Sequence, residues 1–204
     1  MQTHFTPEQL TNPAMASSEV ELRACLQCDY CINNCPTYQV LDDEFDSPRG
    51  RNYLIKAMLE SGRKPEKDTV KHIDQCLSCL ACMSTCPSSV NYMHLVDHAR
   101  EYIEENYRRP LFDRLLRWGV AKIMPYPGRF RLAMRGAQLA KPLAFAMPGK
   151  IRSLVEFMPG TLPPRNQNDK PQVFPAMGER KRRVALLTGC AQTALNTDIN
   201  DATI

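Results

Sequence analysis

A mainly α-helical chain is predicted by three observations. Two cysteine runs of identical spacing, Cys25-Cys28-Cys31-Cys35 and Cys76-Cys79-Cys82-Cys86, anchor its first half. Apolar residues recur at helical spacing between and after these runs. Only one short apolar run, residues 184–188, reads as a strand.

The helices follow in order. Ser18, with Glu21 three residues on, has the pattern of a capping box and predicts a short helix running into Cys25. Ser47 and Pro48 read as an N-cap followed by a proline at the first helical position. The helix they open, with Tyr53, Leu54, Ala57 and Met58 on one face, is expected to stop near Gly62. Val70 and Ile73 mark a brief helical turn before the second run. From Asn91, the residues Tyr92, Leu95, Val96, Ala99, Tyr102 and Ile103 define an amphipathic helix closed by Pro110. His94, His98, Glu101 and Glu105 fall on its other face, which reads as solvated rather than as a metal pair. Two more amphipathic segments cover residues 111–123 and 129–140. Residues 158–183 lack periodicity and are dense in proline and charge, as a linker is. The resulting divisions are 1–107, 108–157 for a basic helical extension, 158–183, and 184–204. A lone strand at 184–188 cannot bury its surface, so that last segment is expected to be the start of a truncated domain.

Composition narrows the functional class. Hydrophobic residues make up 43% and charged residues 24%, values of a folded chain rather than a disordered one. No uncharged apolar run reaches the roughly 18 residues a bilayer span needs. The N-terminus lacks a basic start followed by an apolar core, so a secretory signal is not expected and a cytoplasmic location is. In a reducing compartment the nine cysteines need a purpose other than disulfides. The net charge of +4 is too small to imply nucleic-acid binding.

That purpose is legible in the spacing. Each run reads CxxCxxCxxxCP, ending in Pro36 or Pro87, the bacterial ferredoxin pattern in which the fourth cysteine serves the other 4Fe-4S cluster. Three thiolates at three-residue intervals let one loop wrap three corners of the cube, and the fourth must come from elsewhere. The expected ligands are therefore Cys25, Cys28, Cys31 and Cys86 for one cluster, and Cys76, Cys79, Cys82 and Cys35 for the other. Structural zinc, which takes paired CxxC elements, would leave a third cysteine and the CP ending unused. No residue stands out as a catalytic acid, base or nucleophile.

The cysteine runs, the PRGR segment at residues 48–51 continuing into YLIKAMLE, and the RRVALLTGCAQ segment at residues 182–192 together resemble the iron-sulfur subunits of bacterial glycolate oxidases. The runs are shared with relatives in heterodisulfide reductases, lactate-utilisation proteins and anaerobic glycerol-3-phosphate dehydrogenase. The resemblance implies an α-helical ferredoxin-like domain followed by the opening strand of an α/β cysteine-rich domain. It also implies an oxidoreductase complex in which FAD-containing partner subunits oxidise glycolate to glyoxylate, while this subunit passes electrons toward a quinone or other membrane acceptor. A related membrane-linked dehydrogenase, or a free ferredoxin-like carrier, is the alternative. Where the family usually has Gly after the second cysteine, this chain has Asp29, and Leu80 stands at the equivalent place in the second run. A negative charge there predicts a lower potential for the first cluster, unless solvent screens it.

Three features stay open at this level. Arg108, Arg109, Arg114, Arg117, Lys122, Arg129, Arg131, Arg135, Lys141, Lys150 and Arg152 oppose only Asp113 and are interleaved with Leu115, Leu116, Trp118, Ile123 and Phe130. They suit peripheral contact with the inner face of the cell membrane, docking to an acidic partner, or plain solvation around a core-facing Trp118. Arg49 and Arg51 either balance the anionic clusters or lie on a helix surface. Cys190 belongs either to a further redox or metal site or to a core.

Overall fold

In the computed structural model the described residues span the whole chain except for the side chain of Lys150, so the part of the basic stretch resting on Lys150 lies outside them. Two compact units form, Met1–Arg108 and Arg109–Ile204.

In the first unit, helix α1 (Pro13–Ala24) begins where Asn12 Oδ1 accepts a hydrogen bond from Ala14 N and Pro13 takes the first helical position. The start expected at Ser18 is therefore wrong. The pattern of Ser18 and Glu21 recurs one and a half turns inside a helix already under way, and Ser18 is fully buried. Cys25 closes α1 in an extended conformation. Cys35 is the N-cap residue of α2 (Pro36–Leu41), so the proline after the cysteine opens a helix as well as redirecting the chain.

A 3-10 turn at Glu44–Asp46 then leads into α3 (Pro48–Ser61). The caps of α3 are the expected ones: Ser47 Oγ accepts from Gly50 N at 3.0 Å, and Gly62 ends the helix with φ +59°. Its buried face differs from the expected one. Arg51, Asn52, Ile55, Met58 and Leu59 face inward, while Tyr53 is 57% exposed.

Helix α4 (Lys67–Asp74) buries Val70, His72 and Ile73, and the single turn α5 (Ala81–Ser84) lies within the second cysteine run. Helix α6 (Tyr92–Asn106), capped by Asn91 Oδ1 on His94 N, buries Tyr92, Leu95, Val96, Ala99 and Ile103. His98 is buried too, its Nδ1 lying 2.7 Å from Ser18 Oγ on α1, so that face of α6 is not simply solvated. Leu22, Ile55, Leu59, Ile73, Leu95, Val96, Ala99 and Ile103 are each completely buried and fuse α1, α3, α4 and α6 into one core. Each of these leucines, isoleucines and valines contributes roughly 1.5–3 kcal/mol by leaving water, and Ala99 less. Cys25, Cys31, Cys76, Cys82 and Cys86 pack on the edge of this core, which fixes the loops that carry them.

The second unit contains α7 (Leu111–Ile123), α8 (Pro127–Ala140), a 3-10 turn at Lys141–Ala146 and α9 (Gly149–Glu156), then the short α10 (Gln192–Leu195) and α11 (Asp198–Thr203). Met134, Ala144, Val155 and Ala194 are its buried apolar residues. Arg131 is buried, with Nη1 donating to Pro163 O and Nη2 to Thr193 O, and so is withdrawn from the basic surface. Trp118 is 61% exposed and not core-facing. The strand expected at residues 184–188 does not form: the segment has no regular structure, and Val184 and Leu187 are 87% and 95% exposed. A strand needs a neighbour to take its N–H and C=O groups, and the described residues supply none. No helix among the described residues is long and apolar enough to cross a membrane.

Candidate metal centre

The two cysteine runs fold alike. In each, the second and fourth residues after the first cysteine adopt left-handed backbone: Gln27 (φ 59°) and Asp29 (φ 67°), then Ser78 (φ 51°) and Leu80 (φ 59°). None is glycine, so each costs on the order of 1 kcal/mol, and such strain persists only where the surroundings over-determine it. The left-handed pair brackets Cys28 in one loop and Cys79 in the other, and these two thiols are exposed.

The remaining cysteines of the runs are less exposed, and the last of each run, Cys35 or Cys86, lies beside the first three of the other. One cavity is lined by Cys25, Cys28 and Cys31 together with Cys86 from the other run. A second is lined by Cys76, Cys79 and Cys82 together with Cys35. Cys82 also reaches the wall of the first cavity, so the two lie side by side.

Electrostatics report the same crowding. Burial, reinforced by Cys25, Cys86 and Cys28, pushes the Cys31 thiol up to about 11. Burial, reinforced by Cys31, Cys76 and Cys35, pushes Cys82 up to about 12. Four thiolates cannot share so small a space alone. A cationic metal core that displaces their protons removes the repulsion, and soft sulfur donors in sets of four suit iron-sulfur groups.

Donors surround the sulfurs. Val90 N donates to Cys86 Sγ at 3.4 Å, Asn52 Nδ2 and Gln27 Nε2 face Cys25 Sγ at 3.6 and 3.7 Å, and Tyr92 Oη faces Cys76 Sγ at 3.7 Å. Burial, with Cys76 beside it, raises the Tyr92 pKa well above its usual value, so the phenol stays a donor. Thr37 Oγ1 lies 3.1 Å and Arg51 Nη1 3.9 Å from Cys35 Sγ.

Of these groups only Arg51 was marked by the sequence. Asn52, Gln27 and Thr37 carry no signal in spacing, and Tyr92 reads simply as core. Arg100 holds the second loop from outside, donating to Cys76 O and Ser78 Oγ.

The PRGR segment has a separate task for each residue. Pro48 starts α3, and Arg49 forms ion pairs with both Asp29 and Glu44. Gly50 permits close approach: a Cβ there would strike Glu44 O and come within 2.8 Å of Phe45 Cα. Arg51 is 1% exposed and bound on every side, by His72 O at 2.7 Å, Thr37 Oγ1 at 3.1 Å and Asp46 Oδ1 at 3.1 Å. His72 Nδ1 lies 3.1 Å from the same Asp46 oxygen without a well-aligned hydrogen bond. Asp43, Asp46 and His72 bring donor atoms within 4.8 Å of one another, but the buried guanidinium already holds the Asp46 carboxylate and repels a cation. Because Asp29 is paired with Arg49, its charge at the first loop is compensated more than sequence alone suggested. Cys190 is exposed.

Residues 21–90, which contain both cysteine runs, match the family described as 4Fe-4S dicluster domain. The glycolate oxidase iron-sulfur subunit of Escherichia coli (strain K12) is 40% identical over 203 residues, covering 100% of this chain and 46% of the relative. The probable glycolate oxidase iron-sulfur subunit of Bacillus subtilis (strain 168) is 31% identical over 91% of this chain and 45% of the relative. Lactate utilization protein B of Oceanobacillus iheyensis is 25% identical over 78% of this chain and 32% of the relative. The chain thus spans about half the length of the first two relatives. No solved structure matches it.

Proposed function

The chain contains a 4Fe-4S dicluster domain and is related over its whole length to the iron-sulfur subunits of glycolate oxidases; from that premise we propose that it relays electrons from an FAD-containing partner subunit that oxidises glycolate to glyoxylate toward a quinone. Identity of 40% along 100% of the chain carries the word glycolate, because the cysteine runs alone suit many oxidoreductases. The eight cysteines carry the electron-transfer part.

Cys25, Cys28, Cys31 and Cys86 hold one 4Fe-4S group, and Cys76, Cys79, Cys82 and Cys35 hold the other. When bound, each group would supply a one-electron redox centre. The protein supplies the rest. Crossed ligation ties the loop before α2 to the loop before α6, Cys82 between the cavities keeps the two sets adjacent, and the exposed Cys28 and Cys79 bring each set to the surface. Glycolate chemistry belongs to the flavin partner.

The basic stretch gives a second contact surface. Arg114, Arg117, Lys122, Arg129, Arg135, Lys141 and Arg152 are exposed, beside exposed Leu111, Leu115 and Trp118 on α7. We assign it to peripheral contact with anionic lipid at the inner face of the membrane. Charge-reversed variants that bind anionic vesicles as well as wild type would refute that assignment.

The main test is chemical. The cluster-loaded protein is expected to contain about eight iron atoms and as much acid-labile sulfide per chain, to co-purify with a flavoprotein, and to leave glycolate untouched without it. Glycolate turnover by the chain alone, or zinc in place of iron, would overturn the reading.

A further inference from the structure

Helix α3 stands between the two cavities and sends adjacent side chains in opposite directions. Asn52 Nδ2 faces Cys25 Sγ of the first set at 3.6 Å, whereas Arg51 Nη1 faces Cys35 Sγ of the second at 3.9 Å. The two sets therefore receive unlike donors from one turn of one helix. Around the first set the side-chain donors, Asn52 and Gln27, are neutral. The charges at its rim are Asp29 and Glu44, with Arg49 bridging both, which leaves one excess negative charge in a solvated place.

Around the second set the donors are a fully buried cation and a buried phenol, Arg51 and Tyr92, while the buried Thr37 hydroxyl, 3.1 Å from Cys35 Sγ, donates to Asp46 O and accepts from Arg51. Arg51 has its counter-ion, but on the other prong of the guanidinium. Asp46 Oδ1 binds Nη2 at 3.1 Å, while Nη1 faces Thr37 and the sulfur. The positive end of the pair is thus turned toward Cys35, in a setting where charge is weakly screened. A positive charge and hydrogen bonds at sulfur both favour the state carrying the extra electron.

We infer that Arg51 holds the potential of the group bound by Cys35, Cys76, Cys79 and Cys82 above that of the group bound by Cys25, Cys28, Cys31 and Cys86, and so directs electrons from the first set to the second. One electron leaves the first set as one arrives at the second. The loop of Cys28 is then the entry side and the loop of Cys79 the exit side. Arg51 acts as a positioning residue, through Cys35 and its field. The inference rests on the ligand sets proposed above.

The test is a redox titration of the cluster-loaded full-length protein followed by EPR, which reads each potential apart from activity. Arg51→Met is expected to shift the sharing of one electron between the sets at least tenfold toward the first, or about 59 mV, by lowering only the higher potential. Arg51→Lys, which keeps the charge, is expected to restore most of it. Asp46→Asn removes the opposing charge and is expected to move the same signal upward. A residue that merely held the fold together would not give opposite signs for these changes. If Arg51→Met does not load its clusters, Asp46→Asn decides alone: an upward shift of the higher signal supports the inference, and no shift or a downward one overturns it. Equal movement of both signals also overturns it. Fewer than two resolvable signals in the wild-type protein would sink the ligand assignment and this inference together, whereas two signals unmoved by any variant sink this inference alone.

Discussion

Replacing Gly50 by alanine sets two effects of known size against each other. In the interior of an exposed helix, Gly→Ala gains up to about 1 kcal/mol from backbone entropy. At Gly50 the new Cβ would collide with Glu44 O and lie 2.8 Å from both Glu44 C and Phe45 Cα, all backbone atoms that no rotamer change can move. Overpacking of this kind costs about 1–3 kcal/mol. The displaced turn also carries Asp46, and weakening a buried ion pair such as Asp46 with Arg51 adds further cost, about 3–5 kcal/mol if the pair breaks. The clash wins, and a net loss of about 2 kcal/mol or more is expected, equivalent to roughly 10 °C in the melting of a unit this size. Gly119 in α7 is the control, because a Cβ there meets nothing within 4 Å. Gly119→Ala should stabilise by about 0.5–1 kcal/mol. The assay is thermal melting of both variants at one scan rate, followed by helix signal and by cluster absorption. If Gly50→Ala stabilises as Gly119→Ala does, the close approach of residues 44–46 to α3, and the account of PRGR built on it, is wrong.

Other outcomes follow from single contacts. Ser47→Ala removes the cap on Gly50 N and should cost about 1 kcal/mol in the same assay, whereas Ser18→Ala, not being a cap, should act by releasing His98. Burial, helped by His94 and opposed weakly by Glu101 and Glu105, holds His98 below its usual 6.5. The unfolded chain therefore takes up that proton first, so the stability His98 contributes is complete above 6.5 and is lost as pH falls below it. His98→Gln should shrink the drop in denaturation midpoint between roughly pH 7.5 and 5.5; an unchanged drop refutes the assignment. In cluster-free protein, mass-mapped alkylation should reach the exposed Cys28, Cys79 and Cys190 first, and Cys31, Cys35 and Cys82 last, because burial shields Cys35 and Cys82 and keeps the Cys31 and Cys82 thiols protonated. A reversed order would contradict the geometry of the loops.

Local chemistry made much of this molecule readable from sequence. The spacing of the cysteine runs, the Ser47-Pro48 start, the Gly62 stop and the apolar stripe of α6 each depend on residues within a turn or two, and the structure has them all. The misreadings share the opposite character. Ser18 fits a capping pattern, but its place is decided by Asn12 and Pro13 upstream and by His98, 80 residues away. His98 sits on the polar side of its helix by periodicity, yet α1 covers it. Arg51 could not be told from a surface arginine, because its burial needs Thr37, Asp46 and His72 from three other segments. Residues 184–188 have the composition of a strand and, among the described residues, no strand to pair with. Asp29 looked like an uncompensated charge until the fold brought Arg49 to it.

The central claim, that the two ligand sets exchange their fourth cysteine, is tested most directly by EPR and iron counts on Cys35→Ala in the full-length protein, beside Cys28→Ala and Cys79→Ala. Cys35 lies in the first run but lines the second cavity, 7% exposed. The account predicts that Cys35→Ala perturbs the same EPR signal as Cys79→Ala and leaves intact the one lost with Cys28→Ala. If Cys35→Ala instead reproduces Cys28→Ala, each run serves its own cluster and the interlocked arrangement is wrong.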